Sequence, residues 1–317
     1  MDFIYCVRNI RGGRFGNEPG GNHYLAVPEG DHHVSPDHRV NRKGAWIEAV
    51  TQEALNGKNP VTRSLTGDIL FYVHGFNTEQ ATMLERHRLL KTGLAAHGWT
   101  GAVVSFDWPS ASMAINYLED RSDAKQTAVR LVDGGIRAFA ALQRPECEIN
   151  LHLFAHSMGA YVVREAFDDA DDRPAIAAHS WSVSQAVIAS GDVSAGSMAD
   201  GNPKSSSLYR HSVRVTNYSN PHDAVLSLSN VKRVGVAPRV GRIGLPDHSP
   251  AKAVNVDTGA YFAANRANFD HLPFAGHIWY FYDPVLMHDL THTLQGHTDR
   301  AAIPTRRMGP GGLMLGG

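Results

Sequence analysis

Cysteine is nearly absent: 317 residues hold two, Cys6 and Cys147. One bridge is the most they can form, so a disulfide framework is excluded. Neither lies in a C-x-x-C pair, and both read as ordinary thiols in a reducing compartment. An excess of one charge is also missing. Lys plus Arg number 30 and Asp plus Glu 31. That balance removes the electrostatic reason to expect nucleic acid or an anionic membrane as partner. Charged residues are 19% of the chain, too few for a disordered one. No apolar run approaches the ~20 residues of a membrane span, so no integral membrane segment is expected. The start, MDFIYCVRNIRGGRF, lacks the basic, then apolar, then small-residue pattern of a secretory leader. The expectation is a cytoplasmic protein. No repeat of solenoid length is visible.

Apolar residues are 43%, enough for a sizeable core, and the length suits one large α/β domain. Phe3–Val7 reads as an edge strand. "HRVNRKGAWIEAVTQEAL" reads as an amphipathic helix. Then continuous apolar strands alternate with helices: "GDILFYVHGF", "GAVVSFDWPS", "EINLHLFAH", "SVSQAVIASGD" and "SVRVTNYSN". Strands apolar on both faces and separated by helices mean a mostly parallel central sheet covered on both sides. Thr78 and Ser122 are candidate helix caps. "HIWYFYDP" reads as a last short strand before a polar, His-rich helix at 285–294. One domain is expected over 1–300, with loop insertions near 191–209 and 230–270 and a flexible tail at 301–317.

The chemistry concentrates at "EINLHLFAHSMGAYVVREAF". An apolar strand stops, a helix starts, and Ser157 stands between them. Its neighbours at two positions either side are Ala155 and Gly159. This A-x-S-x-G differs by one methyl from the G-x-S-x-G elbow that lifts a nucleophilic serine above a parallel sheet. The helix that follows offers free N–H groups and a dipole that favours negative charge. Such a site stabilises a tetrahedral oxyanion. Met158 is one expected amide donor. The other is Phe76 in "FYVHGFNT", a second strand end where Gly75 lets the backbone approach a ligand.

A serine needs a base, and the base needs an acid. With this elbow the chain order is Ser, then Asp or Glu, then His. Asp223, after the later strand, is favoured over Asp192. His277, in a loop after Gly276, is favoured over His271. His222 adjoins Asp223 too closely to reach Ser157. His288, His292 and His297 lie on a segment expected to face solvent, and His156 is expected to point away from the site. "DHHVSPDH" and "HDLTH" have metal-ligand residue types, but neither matches H-E-x-x-H. No metal and no cofactor are expected.

Several of these residues resemble a known family. The H-G-F-N turn is His74, Gly75, Phe76 and Asn77. The W-P-S is Trp108, Pro109 and Ser110, and a Y-x-x-D-R-x-x-A run follows from Tyr117 to Ala124. The H-S-M-G is His156 to Gly159, and the final G-H before aromatics is Gly276 and His277. In this order they resemble the α/β-hydrolase superfamily and, within it, the bacterial α/β hydrolases of the DUF900 group. Two departures are Ile278, where the group often has Ser, and Gly191-Asp192, where it often has P-D. The resemblance implies the α/β-hydrolase fold, a serine nucleophile and esterase-like chemistry. Gly75, Asn77 and Trp108 are expected to line the substrate side. The substrate expected is a small-molecule or lipid-like carboxylic ester. The same triad serves thioesterases, amidases and acyltransferases, and a scaffold module would carry a broken triad. Met113, Ile115, Tyr117 and Leu118 are candidates for a lipase-like apolar rim.

Overall fold

The computed structural model of the protein describes residues 1–110, 117–143, 146–231 and 237–316. The described residues build an eleven-stranded sheet. In chain order its first strands are β1 (Asp2–Arg11), β2 (Arg14–Val27), β3 (Leu55–Lys58), β4 (Leu65–Val73), β5 (Ala102–Asp107) and β6 (Cys147–His156). Then come β7 (Val183–Ala189), β8 (Ser212–Ser219), β9 (Ala253–Asp257), β10 (Arg306–Gly309) and β11 (Gly312–Leu315). Across the sheet they run β10-β11-β9-β8-β7-β6-β4-β5-β1-β2, with β3 set against β4. Pairings from β1 through to β11 are parallel. The antiparallel pairs are β1–β2, β3–β4 and β10–β11.

The apolar strands have their reason in this topology. Along β4, Ile69, Phe71 and Val73 enter one apolar cluster, and Leu70 and Tyr72 enter another. Side chains alternate along a strand, so the clusters lie on opposite faces of the sheet. One face is covered by Trp46 and Val50 of the helix Lys43–Ala54 and by Val162, Val163 and Phe167 of the helix Gly159–Asp171. The other is covered by Leu84, Leu90 and Leu94 of the helix Gln80–Ala96 and by Leu286, Leu290 and Leu294 of the helix Pro284–Leu294. This is the α/β-hydrolase arrangement expected from the sequence, a mostly parallel sheet between helices.

Some elements differ from their sequence reading. β1 is internal, because a hairpin turning at Gly12 and Gly13, both at positive φ, lays β2 outside it. "HIWYFYDP" is no strand. It runs as a helical turn, Ala275–Ile278, and a 3-10 turn, Trp279–Phe281. Phe281 packs edge-on against Tyr72 and Phe154, so packing overrides the strand preference of an aromatic run. The helix Pro284–Leu294 is capped by Asp283, which accepts from Leu286 N–H at 2.7 Å, and it buries an apolar stripe. The helix after "HGFN" begins at Gln80 without a side-chain cap, and Thr78 instead bonds Ser110. Helix Tyr117–Arg130 starts before Ser122.

Both segments expected as loops carry structure: the helix Pro203–His211 in the first, and β9 and the helix Gly259–Asn265 in the second. The segment expected as a tail supplies β10 and β11. β11 pairs with β9. Buried Arg306 meets buried Asp289 at 2.7 Å. No helix among the described residues is long and apolar enough to cross a membrane.

Candidate active site

Parallel strands deliver their carboxyl ends to one edge, where such sheets carry their chemistry. β4 ends at His74-Gly75, β6 at His156-Ser157, β7 at Ser190 and β8 just before Asn220. Ser157 follows β6 directly, with φ 56°, in the left-handed region where a non-glycine residue is strained. Two hydrogen bonds hold that bend. Ser157 N–H donates to Ala189 O at 3.1 Å, and Asp192 N–H donates to Ser157 O at 2.9 Å. Gly159 has no room for a side chain, since a Cβ there would sit 2.2 Å from Val73 O. Met158 leads from the bend into the helix Gly159–Asp171.

The turn after β4 lies directly over the serine. A Cβ on Gly75 would fall 2.7 Å from Ser157 Cβ and 3.2 Å from its Oγ. The turn is fixed from behind. His74 Nδ1–H donates to Gly75 O at 3.0 Å. Trp108 Nε1–H donates to His74 O at 2.9 Å, and its ring stacks on His74 at 5.3 Å. Burial pushes the His74 imidazole toward its neutral form, against the pull of Asp107. Trp108 itself is fully buried against the turn. Asn77 is exposed, at φ 51°, and Phe76 is half-buried.

His277 and Asp223 are brought together. His277 Nδ1–H donates to Asp223 Oδ2 at 2.7 Å. Asp223 is fully buried, and His277 and Ser157 are each 7% exposed. The loop that carries His277 comes very close to that of the acid: a Cβ on Gly276 would sit 2.6 Å from His222 O. Asn220 Nδ2–H ties the two loops by donating to Gly276 O at 2.9 Å. The other candidates are drawn elsewhere. Asp192 pairs with Arg239 at 3.0 Å. His271 and His222 are exposed. His288, half-buried, meets His292 at 3.1 Å, and His292 meets His297 at 3.1 Å.

His156 does not point away. Its Nε2–H donates to His277 O at 2.8 Å, and the two rings lie 4.8 Å apart. Burial, reinforced by the neighbouring His277, pushes its pKa well below the usual imidazole value, so it acts as a neutral donor. This contact ties the residue before the serine to the proposed base. Three further supports had no assigned role in the sequence. Ser190 Oγ–H donates to Asp223 Oδ2 at 2.8 Å, Leu226 N–H donates to Asp223 Oδ1 at 3.0 Å, and Arg242 donates to Asp223 O at 3.0 Å. Only Asn220 left a local signal, an Asn-Pro turn opening the acid loop.

Beside these loops lies a cleft of about 290 Å³, lined by Val225, Phe262, Arg266, Asp270, Leu272 and Phe274. The side chains of Met113, Ile115, Tyr117 and Leu118 lie outside the described residues. Among the described residues no three His, Cys, Asp or Glu side chains converge as a metal site.

The family model that matches the chain is that of an α/β hydrolase of unknown function, DUF900, over residues 48–289. No curated protein matches the sequence. Among solved structures the chain is similar to a protein of Agrobacterium vitis S4 described as a hydrolase, at 13% identity and TM-score 0.31, over 60% of this chain and 78% of that one. It is similar to a Trichoderma reesei cutinase in complex with a phosphonate inhibitor, at 13% and 0.31, over 80% and 84%. It is also similar to a structure from work on LipS and LipT, two metagenome-derived lipolytic enzymes, at 12% and 0.30, over 69% and 96%.

Proposed function

This chain belongs to the DUF900 family of α/β hydrolases, and from that premise we propose that it is a serine hydrolase cleaving carboxylic esters through Ser157, His277 and Asp223. The observation that carries the proposal is the 2.7 Å bond between buried Asp223 and His277, on a loop that His156 ties to the strand end bearing a serine held at φ 56°. A serine in that strained bend has no backbone purpose that Gly would not serve with less strain.

In the proposed reaction Ser157 Oγ attacks the ester carbonyl, and His277 Nε2 takes its proton. Asp223 keeps Nδ1 protonated and stabilises the imidazolium that forms. The backbone N–H groups of Phe76 and Met158 bind the oxyanion. Gly75 supports this geometry, because its backbone already lies against Ser157. The imidazolium then protonates the leaving alcohol, and water repeats the sequence on the acyl-enzyme. The cleft beside the His277 loop offers Phe262, Leu272 and Phe274 to an aliphatic or aromatic ester group and Arg266 and Asp270 to a polar one.

The test is hydrolysis of p-nitrophenyl esters of graded chain length, together with labelling by a fluorophosphonate probe. Ser157→Ala is expected to abolish labelling and to lower kcat by about six orders of magnitude, as for other triad serines. Hydrolysis by Ser157→Ala near the wild-type rate would remove the mechanism. A folded protein that neither labels nor turns over esters would be a scaffold instead.

A further inference from the structure

We propose that Ser190 is a positioning residue of this site, its hydroxyl holding the Asp223 carboxylate in the orientation that keeps His277 paired and its Nε2 ready for a proton. The inference rests on the triad reading above and adds to it a fourth side chain, from the end of β7.

The backbone is the first observation. Ser190 is fully buried and has φ 48°, in the left-handed region. Glycine adopts that conformation without strain, and serine does not. The bend is also crowded: a Cβ on Gly241 would fall 2.2 Å from Ser190 C. A serine in such a bend brings a backbone cost and, beyond Cβ, one further heavy atom. That atom, Oγ, lies 2.8 Å from Asp223 Oδ2.

The carboxylate is the second observation. Asp223 Oδ2 accepts from His277 Nδ1 at 2.7 Å and from Ser190 Oγ, while Oδ1 accepts from Leu226 N–H at 3.0 Å. Asp223 is fully buried, so bulk water does not stand ready to replace a lost donor. Without the serine hydroxyl, Oδ2 keeps the imidazole as its single donor among these, so the pairing stays but the angle of the carboxylate is no longer fixed.

The sign of the electrostatic effect follows. A donor on Oδ2 disperses its negative charge and weakens its hold on a protonated His277. Removing that donor concentrates the charge and raises the proton affinity of the imidazole. The other polar groups around the pair leave this sign unchanged. His156 faces it from β6 as a neutral donor to the His277 carbonyl. Tyr280 faces it from the turn after the His277 loop, with burial holding its hydroxyl protonated. Arg242 engages the Asp223 carbonyl, Arg239 is paired with Asp192, and His222 is exposed. Arg86 and His74 add to the lowering of the His156 pKa.

The experiment measures the rate of fluorophosphonate labelling of Ser157 from about pH 5 to about pH 9 in the full chain. Ser190→Gly keeps the left-handed bend and removes the hydroxyl. It is expected to melt at the wild-type temperature, to label about tenfold to a hundredfold more slowly, and to shift the acid limb of the profile upward. Ser190→Ala, which keeps Cβ, is expected to show the same loss and the same shift with a lower melting temperature. Its profile decides the matter if glycine loosens the turn. A folded Ser190 variant with the wild-type rate and acid limb overturns the proposal and leaves the triad standing. Absence of labelling in the wild-type chain overturns both.

Discussion

At the scale of single residues, the site depends on two backbones in contact. Ser157 occupies a left-handed bend that costs on the order of 1–3 kcal/mol, held by the bonds to Ala189 and Asp192. Gly75 is the residue that tolerates its proximity. The atom that a Gly75→Ala side chain meets, Ser157 Cβ at 2.7 Å, belongs to a short and rigid side chain. Either the turn or the elbow must move. A displacement near 1 Å between reacting groups costs about a hundredfold in rate. Gly75→Ala is therefore expected to keep its far-UV circular dichroism and to lose about two orders of magnitude in kcat on p-nitrophenyl esters. Wild-type turnover by this variant would show that the turn does not border the reacting carbonyl.

At the scale of elements, the end of the chain closes the sheet. β11 pairs with β9, and the hairpin is fastened to the helix Pro284–Leu294 by Arg306. Its guanidinium donates to both oxygens of Asp289, which also accept from Tyr218 and Thr305. Polar, Gly-rich sequence gave no sign of this, because the partner carboxylate lies on a different element. Arg306→Met leaves Asp289 buried and short of its cation. Breaking one side of a buried pair typically costs about 3–5 kcal/mol. Urea unfolding of this variant is expected to show that loss at neutral pH. A change below about 1 kcal/mol would mean that the pair is solvated and the hairpin loosely attached.

At the scale of the whole molecule, acid should destabilise the fold through its buried histidines. Burial pushes His87 down to about 4, against the pull of Asp2 and with the added repulsion of Lys91 and Arg88. His74 and His156 are lowered for the same first reason. In the unfolded chain a histidine binds its proton near 6.5. Between about 6.5 and about 4 the unfolded state holds more protons than the folded one, so stability rises with pH there. The His87 contribution is present in full above that window and is lost as pH falls through it. His87→Gln, which still offers a polar atom to Ser105 Oγ, now 2.8 Å from His87 Nδ1, is expected to flatten this part of the stability–pH curve. An unchanged slope in that variant would show that His87 is not the group responsible.

The sequence by itself determined the parallel sheet, the serine at its edge and the order of the candidate groups along the chain. These are local properties: apolar continuity within a strand, small residues at a sharp bend, and glycine where a backbone must pass close. The tertiary structure alone decided which acid meets which base, since His277 and Asp223 are 54 positions apart. It alone turned His156 toward the His277 carbonyl, 121 positions away, and Ser190 toward Asp223, 33 away. It set Trp108 against the His74-Gly75 turn and brought the last strands into the sheet. A hydrogen bond across the carboxyl edge depends on how neighbouring strands are ordered and how their loops close. No periodicity within one segment carries that information.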